Sequence, residues 1–297
     1  METVLEIKGL CKSYGDFELR NLNLSLEKGT LTGFIGPNGA GKTTTIKSIL
    51  NMIAPDAGTI RVLGMDSVSG DLEIKSKLGI VLDDGHFYED LTLKKMKNLI
   101  APMYPVWNEG AYQSYMEKFS LPEEKKIKDL SRGMRMKYAL VLALSHEAEL
   151  FILDEPTSGL DPLVRSELIE ILKDIVLEEN KTVLMSTHIT SDLDKIADYL
   201  FFLFDGQIIL QGQKDEMKEG HAVVKGDASA LPPDYENYFV GISKSAYGFE
   251  GMTDQKAALN KLLPGNTASE VATIEDIILY SIRRHNSCIQ TLFILIK

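Results

Sequence analysis

The stretch that decides the fold runs from Leu31 to Thr44 and has the sequence Leu-Thr-Gly-Phe-Ile-Gly-Pro-Asn-Gly-Ala-Gly-Lys-Thr-Thr. Its first five residues, 31–35, form an apolar run with the length of a buried strand. A glycine-rich turn over 36–41 follows, and the pattern after it predicts a helix over 42–52. A strand that leads through a tight turn into a helix is typical of α/β folds with a mostly parallel sheet.

The turn fits the phosphate-loop pattern G-x-x-x-x-G-K-[ST] from Gly36 to Thr43. Glycines let successive backbone N–H groups point at phosphate oxygens, and the following helix adds its positive N-terminal end. Lys42 is placed to reach the β- and γ-phosphates, and the Thr43 hydroxyl is placed to bind Mg²⁺. A glycine-rich turn that binds nothing is the alternative. The position between a strand and a helix favours nucleotide binding.

An acidic pair ends a second apolar run, since Asp154 and Glu155 follow residues 150–153. In phosphate-loop proteins an Asp at a strand end commonly holds Mg²⁺, and a second carboxylate beside it can polarise the attacking water. An acidic strand end in solvent is the alternative for the pair alone. Together with the phosphate loop, the pair predicts a catalytic centre.

The rest of the chain alternates between strand and helix patterns, with a mostly helical stretch in the middle. Strands are predicted over 22–26, 58–63, 78–82 and 182–185, a hairpin over 200–204 and 207–210, and helices within 90–145 and over 162–178. Pro232-Pro233 suggests a linker. We expect one large domain over 1–219, with a helical subdomain inserted at 88–147, and an accessory region of uncertain fold over 220–297.

Composition narrows the function classes. The 297 residues are 44% hydrophobic and carry 32 Lys and Arg against 43 Asp and Glu, so the net charge of −11 argues against a nucleic-acid partner. Cys11 and Cys288 provide no zinc spacing and no disulfide framework, which fits a reducing cytosol. We expect no signal peptide and no membrane-spanning segment, since no apolar run approaches the ~20 residues needed. A membrane role would therefore come through a partner.

Between the two motifs stands Leu130-Ser-Arg-Gly-Met134, which precedes Asp154 by 23 residues counted from Ser131. This segment resembles the signature motif of ABC-type ATPases, usually Leu-Ser-Gly-Gly-Gln. Ser158-Gly-Leu-Asp161 resembles the D-loop of that family, and His188 resembles its switch histidine. The loop, signature and strand-end acids in this order are much more specific than a phosphate loop alone. The resemblance covers roughly residues 2–220.

The resemblance implies the phosphate-loop NTPase fold of ABC type: a mostly parallel core sheet, an antiparallel β subdomain, a helical insertion and a small C-terminal accessory region. It also implies a role for each matching residue. ATP would be bound by Tyr14, whose ring would stack on adenine, and by Gly36, Asn38, Gly39, Ala40, Gly41, Lys42, Thr43 and Thr44. Mg²⁺ would be bound by Thr43, Asp83 and Asp154. Glu155 would be the general base, and His188 would contact the γ-phosphate and hold the attacking geometry. Ser131, Arg132, Gly133 and Met134 would act in trans on the other subunit's nucleotide, and Asp161 would belong to the D-loop.

The sequence departs from the family pattern in two places. The family usually has Gln where Leu78-Gly-Ile-Val-Leu-Asp83 places an acid, and the signature carries Arg132 for a Gly and Met134 for a Gln. Similar signature variants occur in ATPases of ABC-2-type exporters of drugs, peptides and bacteriocins. The retained Glu155 and His188 argue against an inactive site.

The resemblance implies an ATPase subunit of an exporter that pairs with a second ATPase subunit, as a homodimer, and with integral membrane permease subunits. Such a subunit is cytoplasmic and lies on the inner face of the cell membrane through its permeases. Two other functions are open at this point. One is a soluble ABC ATPase in cofactor assembly, and the other is a binding module that ATP gates without being hydrolysed.

Overall fold

A computed structural model describes residues 2–82, 87–177, 181–231, 234–255, 259 and 267–295. Side chains are described as far as residue 285, apart from those at 230 and 236. Asp83, which the sequence analysis assigns to the metal, and the Pro232-Pro233 pair lie outside the described residues.

The described residues form strands and helices that alternate along most of the chain. The strands are β1 (Thr3–Tyr14), β2 (Phe17–Glu27), β3 (Leu31–Ile35), β4 (Ala57–Val62), β5 (Met65–Asp66), β6 (Leu78–Val81), β7 (Leu150–Asp154), β8 (Thr182–Thr187), β9 (Tyr199–Phe204), β10 (Gln207–Gln213), β11 (Ala222–Gly226), β12 (Gly241–Ser245), β13 (Gly248–Thr253) and β14 (Ala268–Val271). The helices are α1 (Lys42–Ile49), α2 (Asp71–Ser76), α3 (Leu93–Ile100), α4 (Glu109–Lys118), α5 (Arg132–Leu144), α6 (Pro162–Leu177), α7 (Thr190–Ile196), α8 (Lys214–Gly220) and α9 (Ile274–Leu295).

The core sheet has six strands in the order β10-β9-β3-β8-β7-β6. All neighbours are parallel except the edge pair β10 and β9. Every residue of β3, β7 and β8 is buried, because helices and a second sheet cover both faces and leave no solvent side for alternation. The predicted mostly parallel α/β sheet is confirmed. Because β3, β8 and β7 are parallel neighbours, their C-terminal ends lie at the same edge of the sheet.

A second, antiparallel sheet has the order β2-β1-β4-β5 and covers one face of the core. Its buried side chains, such as Leu10, Leu22 and Ile60, share a hydrophobic cluster with Phe34 of β3 and Ile46 of α1. The sequence analysis did not identify β1. Its pairing with β2 shifts register three times, so its apolar residues do not alternate regularly.

The segment between β6 and β7 contains α3, α4 and α5. Thr92 and Asn108 cap the first two of these helices, each accepting a backbone N–H with its side chain. The Tyr138 hydroxyl, fully buried, donates to the Leu93 carbonyl oxygen at 2.7 Å and ties α5 to α3. α1 ends at Ile49, earlier than predicted, and Asn51 adopts a left-handed conformation just beyond it.

The C-terminal region, whose fold the sequence left uncertain, is a four-stranded antiparallel sheet in the order β12-β13-β11-β14 with the long helix α9. One hydrophobic cluster joins Val223, Met252 and Ile277 of this region to Leu193 and Phe202 of the core. The division at 219/220 stays a prediction. Within the described part of the chain, no helix has the length and apolar character needed to cross a membrane.

A buried histidine lies where α5 leads into β7. His146 is 5% exposed, its ring stacks on Tyr104 at 3.8 Å between centroids, and neither ring nitrogen has a hydrogen-bond partner among the described residues. Burial, with a smaller contribution from the charge of Lys181, lowers the pKa of His146 to about 4. The folded protein therefore keeps this ring neutral at a pH where the unfolded chain protonates it.

Acidification should thus destabilise the fold through His146. Because the folded pKa lies below the unfolded value, stability is full above about pH 6.5 and falls as the pH drops towards 4. The linkage gives a loss of about 2 kcal/mol between pH 7.5 and 5. Denaturant unfolding of the wild type and of His146→Phe at these two pH values measures this loss. The variant keeps an aromatic ring against Tyr104 but cannot be protonated. An equal pH dependence in both proteins would contradict the assignment.

Candidate functional site

The phosphate loop lies between β3 and α1 and packs too tightly for side chains at two positions. A Cβ on Gly36 would lie 2.5 Å from the Leu203 carbonyl oxygen, and one on Gly41 would lie 2.5 Å from Leu19 Cδ2. Gly41 also has a φ of +112°, which disfavours any other residue. Because glycine stands at both positions, the loop backbone can wrap closely around the start of α1. A backbone of this shape can point its N–H groups at an anion.

Lys42 is the buried cation of the site, with only 6% of its side chain exposed. Its Nζ donates to the Gly36 carbonyl oxygen at 2.7 Å and lies 3.0 Å from Glu155 Oε1. A buried ammonium group is costly without such partners, so the loop and the strand-end acid together hold the charge in place.

Asp154 is almost fully buried at the end of β7 and is held by two hydroxyl groups. Thr43 Oγ1 donates to Asp154 Oδ2 at 2.9 Å, and Ser186 Oγ of β8 donates to Asp154 Oδ1. The structure therefore brings together two of the three predicted metal ligands, Thr43 and Asp154. Ser186 is a supporting residue that the sequence analysis missed, although it stands two residues before His188.

Glu155 and His188, 33 residues apart in sequence, are in direct contact. His188 Nδ1 lies 2.8 Å from Glu155 Oε2, while the other carboxylate oxygen faces Lys42. The backbone of Glu155 has a φ of +52°, a costly conformation for this residue that the Glu155 N–H bond to the Ser186 carbonyl oxygen at 3.1 Å helps to hold. One carboxylate thus bridges an ammonium group and an imidazole.

A cleft of about 550 Å³ opens over the phosphate loop, a volume suited to a small molecule of nucleotide size. It is lined by Phe17, Pro37, Asn38, Gly39, Gly41, Lys42, Thr43, Thr44 and Glu155. Phe17 was missed by the sequence analysis, which assigned the aromatic role to Tyr14. Tyr14 is not among these residues, is 48% exposed and lies under Lys12 Nζ at 5.3 Å from its ring centroid. Its stacking role stays a prediction.

The signature segment lies at the start of α5, away from this cleft. Ser131 caps the helix, since its Oγ accepts the Met134 N–H at 3.2 Å. A Cβ on Gly133 would lie 2.8 Å from Val164 Cγ1, so this glycine lets α5 approach α6 closely. Signature residues are absent from the set that lines the cleft of the same chain. Ala40 of the loop is buried and does not line it either.

The D-loop connects β7 to α6. Asp161 Oδ1 accepts the N–H groups of Leu163 and Val164, each at 3.1 Å, and so caps α6. Gly159 has a φ of +67°, and a Cβ there would lie 3.1 Å from Arg132 Nη1. The signature arginine therefore packs against the D-loop, an arrangement that sequence spacing alone does not reveal.

Fold and site together define a phosphate-loop ATPase with a helical insertion. The family model for ABC transporters matches residues 19–158. The bacitracin transport ATP-binding protein BcrA of Bacillus licheniformis is 30% identical over 90% of this chain and 91% of its own length. The lantibiotic transport ATP-binding protein SrtF of Streptococcus pyogenes is 33% identical over 71% of this chain and 92% of its own.

A solved structure described as the ATP-binding subunit of an ABC transporter superposes with a TM-score of 0.67, at 29% identity over 73% of this chain and 92% of that one. The chain belongs to the family of ABC transporter ATP-binding subunits. It is the ATP-binding, ATP-hydrolysing component of such a transporter.

Loss of the buried ammonium should remove most of the affinity for ATP. Lys42→Ala deletes a charge-assisted contact to phosphate, so we expect ATP binding to weaken on the order of 100-fold. A binding titration by calorimetry measures the change. Lys47→Ala, in the same helix but outside the residues that line the cleft, is the matched control and should bind ATP as wild type does. Undiminished binding by Lys42→Ala would refute the assignment of the phosphate loop.

Proposed function

We propose that two copies of this chain bind two Mg·ATP molecules between them, hydrolyse the ATP and thereby drive the permease subunits of an exporter. The observation that carries the proposal is the Glu155 carboxylate, which contacts Lys42 on one side and His188 on the other. A carboxylate in this position can accept a proton from water next to the terminal phosphate.

The mechanism assigns one task to each of these three side chains. Lys42 neutralises charge on the β- and γ-phosphates, which the phosphate-loop N–H groups hold in place. Glu155 takes the proton of the attacking water as the general base. His188 orients the Glu155 carboxylate through the 2.8 Å contact, and in this proposal it also contacts the γ-phosphate. In this mechanism the protein mainly positions the reacting groups and stabilises charge on the phosphates.

The oxygen atoms of Thr43 in α1 and Asp154 at the end of β7 fit Mg²⁺. Thr43 Oγ1 and Asp154 Oδ2 lie 2.9 Å apart and are both oxygen donors, the ligand type that this hard cation prefers. No group of three or more His, Cys, Asp or Glu side chains that could hold a metal occurs among the described residues. Mg²⁺ in ATPases does not need one, because phosphate oxygens and water complete its coordination. When bound, the ion would polarise the terminal phosphate.

The position of the signature supports a dimer. Ser131 is exposed at the start of α5, and neither it nor Gly133 lines the phosphate cleft of its own chain. The N-terminal end of α5 carries partial positive charge, which suits a γ-phosphate presented by a second subunit. ATP then joins the two subunits, and loss of the γ-phosphate separates them.

The transport role is supported by the relatives. BcrA and SrtF are described as transport ATP-binding proteins for bacitracin and lantibiotics. We therefore favour an exporter subunit at the inner face of the cell membrane over a soluble factor in cofactor assembly.

An apolar groove on the helical subdomain suits a permease helix. Its volume is about 150 Å³, and it is lined by Ile80, Leu82, Phe87, Ile100, Tyr104, Ala139, Leu142 and Ala143. Exposed apolar residues in the same subdomain, Tyr88, Leu99, Met103 and Val106, add to the apolar surface of this part of the protein. We assign the groove to a short cytoplasmic helix of the permease.

Conversion of the general base to an amide should separate ATP binding from hydrolysis. Glu155→Gln keeps the size and polarity of the side chain but cannot accept the proton, so turnover should fall at least about 100-fold while ATP still binds. A phosphate-release assay measures turnover, and size-exclusion chromatography with Mg·ATP should show a stable dimer. Adding Ser131→Arg should return the Glu155→Gln protein to monomer. Unchanged turnover in Glu155→Gln would show that another group is the base.

A charge in the apolar groove should uncouple the ATPase from its membrane partner. Ile100→Glu places a carboxylate on the groove wall, so we expect pull-down of a multi-span protein from detergent-solubilised membranes to fail while ATP binding persists. The matched control is Leu72→Glu, which puts the same charge on a leucine of α2 that is 85% exposed. Equal recovery with both variants would exclude the groove as the docking site.

A further inference from the structure

Asp192, in the first turn of α7, is a buried carboxylate with no part in the chemistry assigned above. It is 1% exposed. Thr157 Oγ1 donates to its Oδ2 at 2.7 Å, and Arg165 Nε donates to its Oδ1 at 2.7 Å. A carboxylate leaves water at a high cost unless both oxygens are compensated. Here the compensation comes from two separate segments of the chain.

The first partner links Asp192 to the general base. Thr157 follows Glu155 by two residues, and Asp192 follows His188 by four. The segments 155–157 and 188–192 are therefore joined at both ends, by the 2.8 Å contact of Glu155 with His188 and the 2.7 Å bond of Thr157 with Asp192. Two short segments fixed at both ends cannot slide past one another without breaking one of these contacts.

The second partner extends the arrangement to α6. Arg165 donates through Nε to Asp192 and through Nη2 to Ser191 Oγ at 2.9 Å, so one guanidinium holds two successive residues of α7. α6 begins directly after Asp161 of the D-loop. The helix that follows His188 is thus bound to the segment that connects β7 with α6, through Thr157, and to α6 itself, through Arg165.

We propose that Asp192 is a positioning residue for ATP hydrolysis, which keeps His188 in register with Glu155 by binding Thr157 and Arg165. The inference rests on the proposed roles of Glu155 and His188. It assigns to Thr157 and Arg165 a share in turnover but none in ATP affinity, because neither lines the phosphate cleft.

The test uses a pair of variants that differ by one hydroxyl group. Thr157→Val keeps the branched shape and removes the donor to Asp192, whereas Thr157→Ser keeps the donor. We expect kcat to fall about 10-fold in Thr157→Val, with the Kd for ATP within about twofold of wild type, and Thr157→Ser to restore turnover. A residue needed only for folding would lower the amount of active protein and would not separate kcat from affinity.

Two further measurements sharpen the test. Because Thr157 acts through His188, adding Thr157→Val to His188→Ala should cause no further loss of kcat. Asp194 also lies in α7, and its carboxylate forms an ion pair with Lys218 at 2.9 Å. Asp194→Asn weakens this ion pair and should leave kcat unchanged. If Thr157→Val unfolds, Arg165→Gln tests the same carboxylate from its partly exposed partner, and the same loss of kcat is expected.

The outcomes distinguish this inference from the proposed function. Wild-type turnover in Thr157→Val, or losses that multiply in the double variant, would overturn the positioning role while leaving Glu155 as the base. Wild-type turnover in Glu155→Gln would overturn the proposed function itself, whatever the Thr157 variants show.

Discussion

The site depends on how one carboxylate is shared. Glu155 faces Lys42 at 3.0 Å with one oxygen and His188 at 2.8 Å with the other, and its side chain is only 12% exposed. Low exposure strengthens both contacts, since the effective dielectric constant is far below that of water. The low exposure also makes the loss of either partner costly, because the buried Glu155 carboxylate would then keep only one of its two contacts. The elements around the site serve to hold these three groups in place.

The parallel sheet supplies that support. β3 leads into the phosphate loop, β7 ends at Asp154 directly before Glu155, and β8 ends one residue before His188. Parallel strands place these ends at one edge although Thr43 and Asp154 are 111 residues apart. Ser186 completes the connection, since its hydroxyl binds Asp154 and its carbonyl oxygen binds the Glu155 N–H. Adjacent strands are thus joined by side chains where the chemistry is proposed, beyond their backbone ladder.

Much of this arrangement was predictable, for reasons that differ between residues. The phosphate loop and the acidic pair are local patterns whose chemistry requires particular residue types, so the sequence shows them directly. The family resemblance predicted that Glu155 and His188 act at one site, but their direct contact is seen only in the structure. Phe17 was missed because no spacing rule distinguishes an aromatic residue that lines a cleft from one on an open surface, and Tyr14, three residues earlier, fitted the family position.

Other features could not be predicted because they depend on tertiary packing. β1 escaped detection since its bulges break the period-two pattern. A buried aspartate and an exposed one look the same in sequence. The burial of Asp192 and its contacts with Thr157 and Arg165 are therefore visible only in the structure. The accessory sheet was equally hidden, because its strands are short and part of its core comes from α7 and β9.

The net charge of −11 raises the question of why this chain should bind a triphosphate, itself an anion. At physiological ionic strength, charges interact over about 8 Å, so most surface carboxylates are screened from the cleft. The phosphate groups would meet the local field instead, which comes from buried Lys42, the N-terminal end of α1 and the loop N–H groups. An extended nucleic acid would meet the screened but widespread acidic surface over many phosphates. The same composition that argues against a nucleic-acid polymer therefore permits a single nucleotide in a cleft.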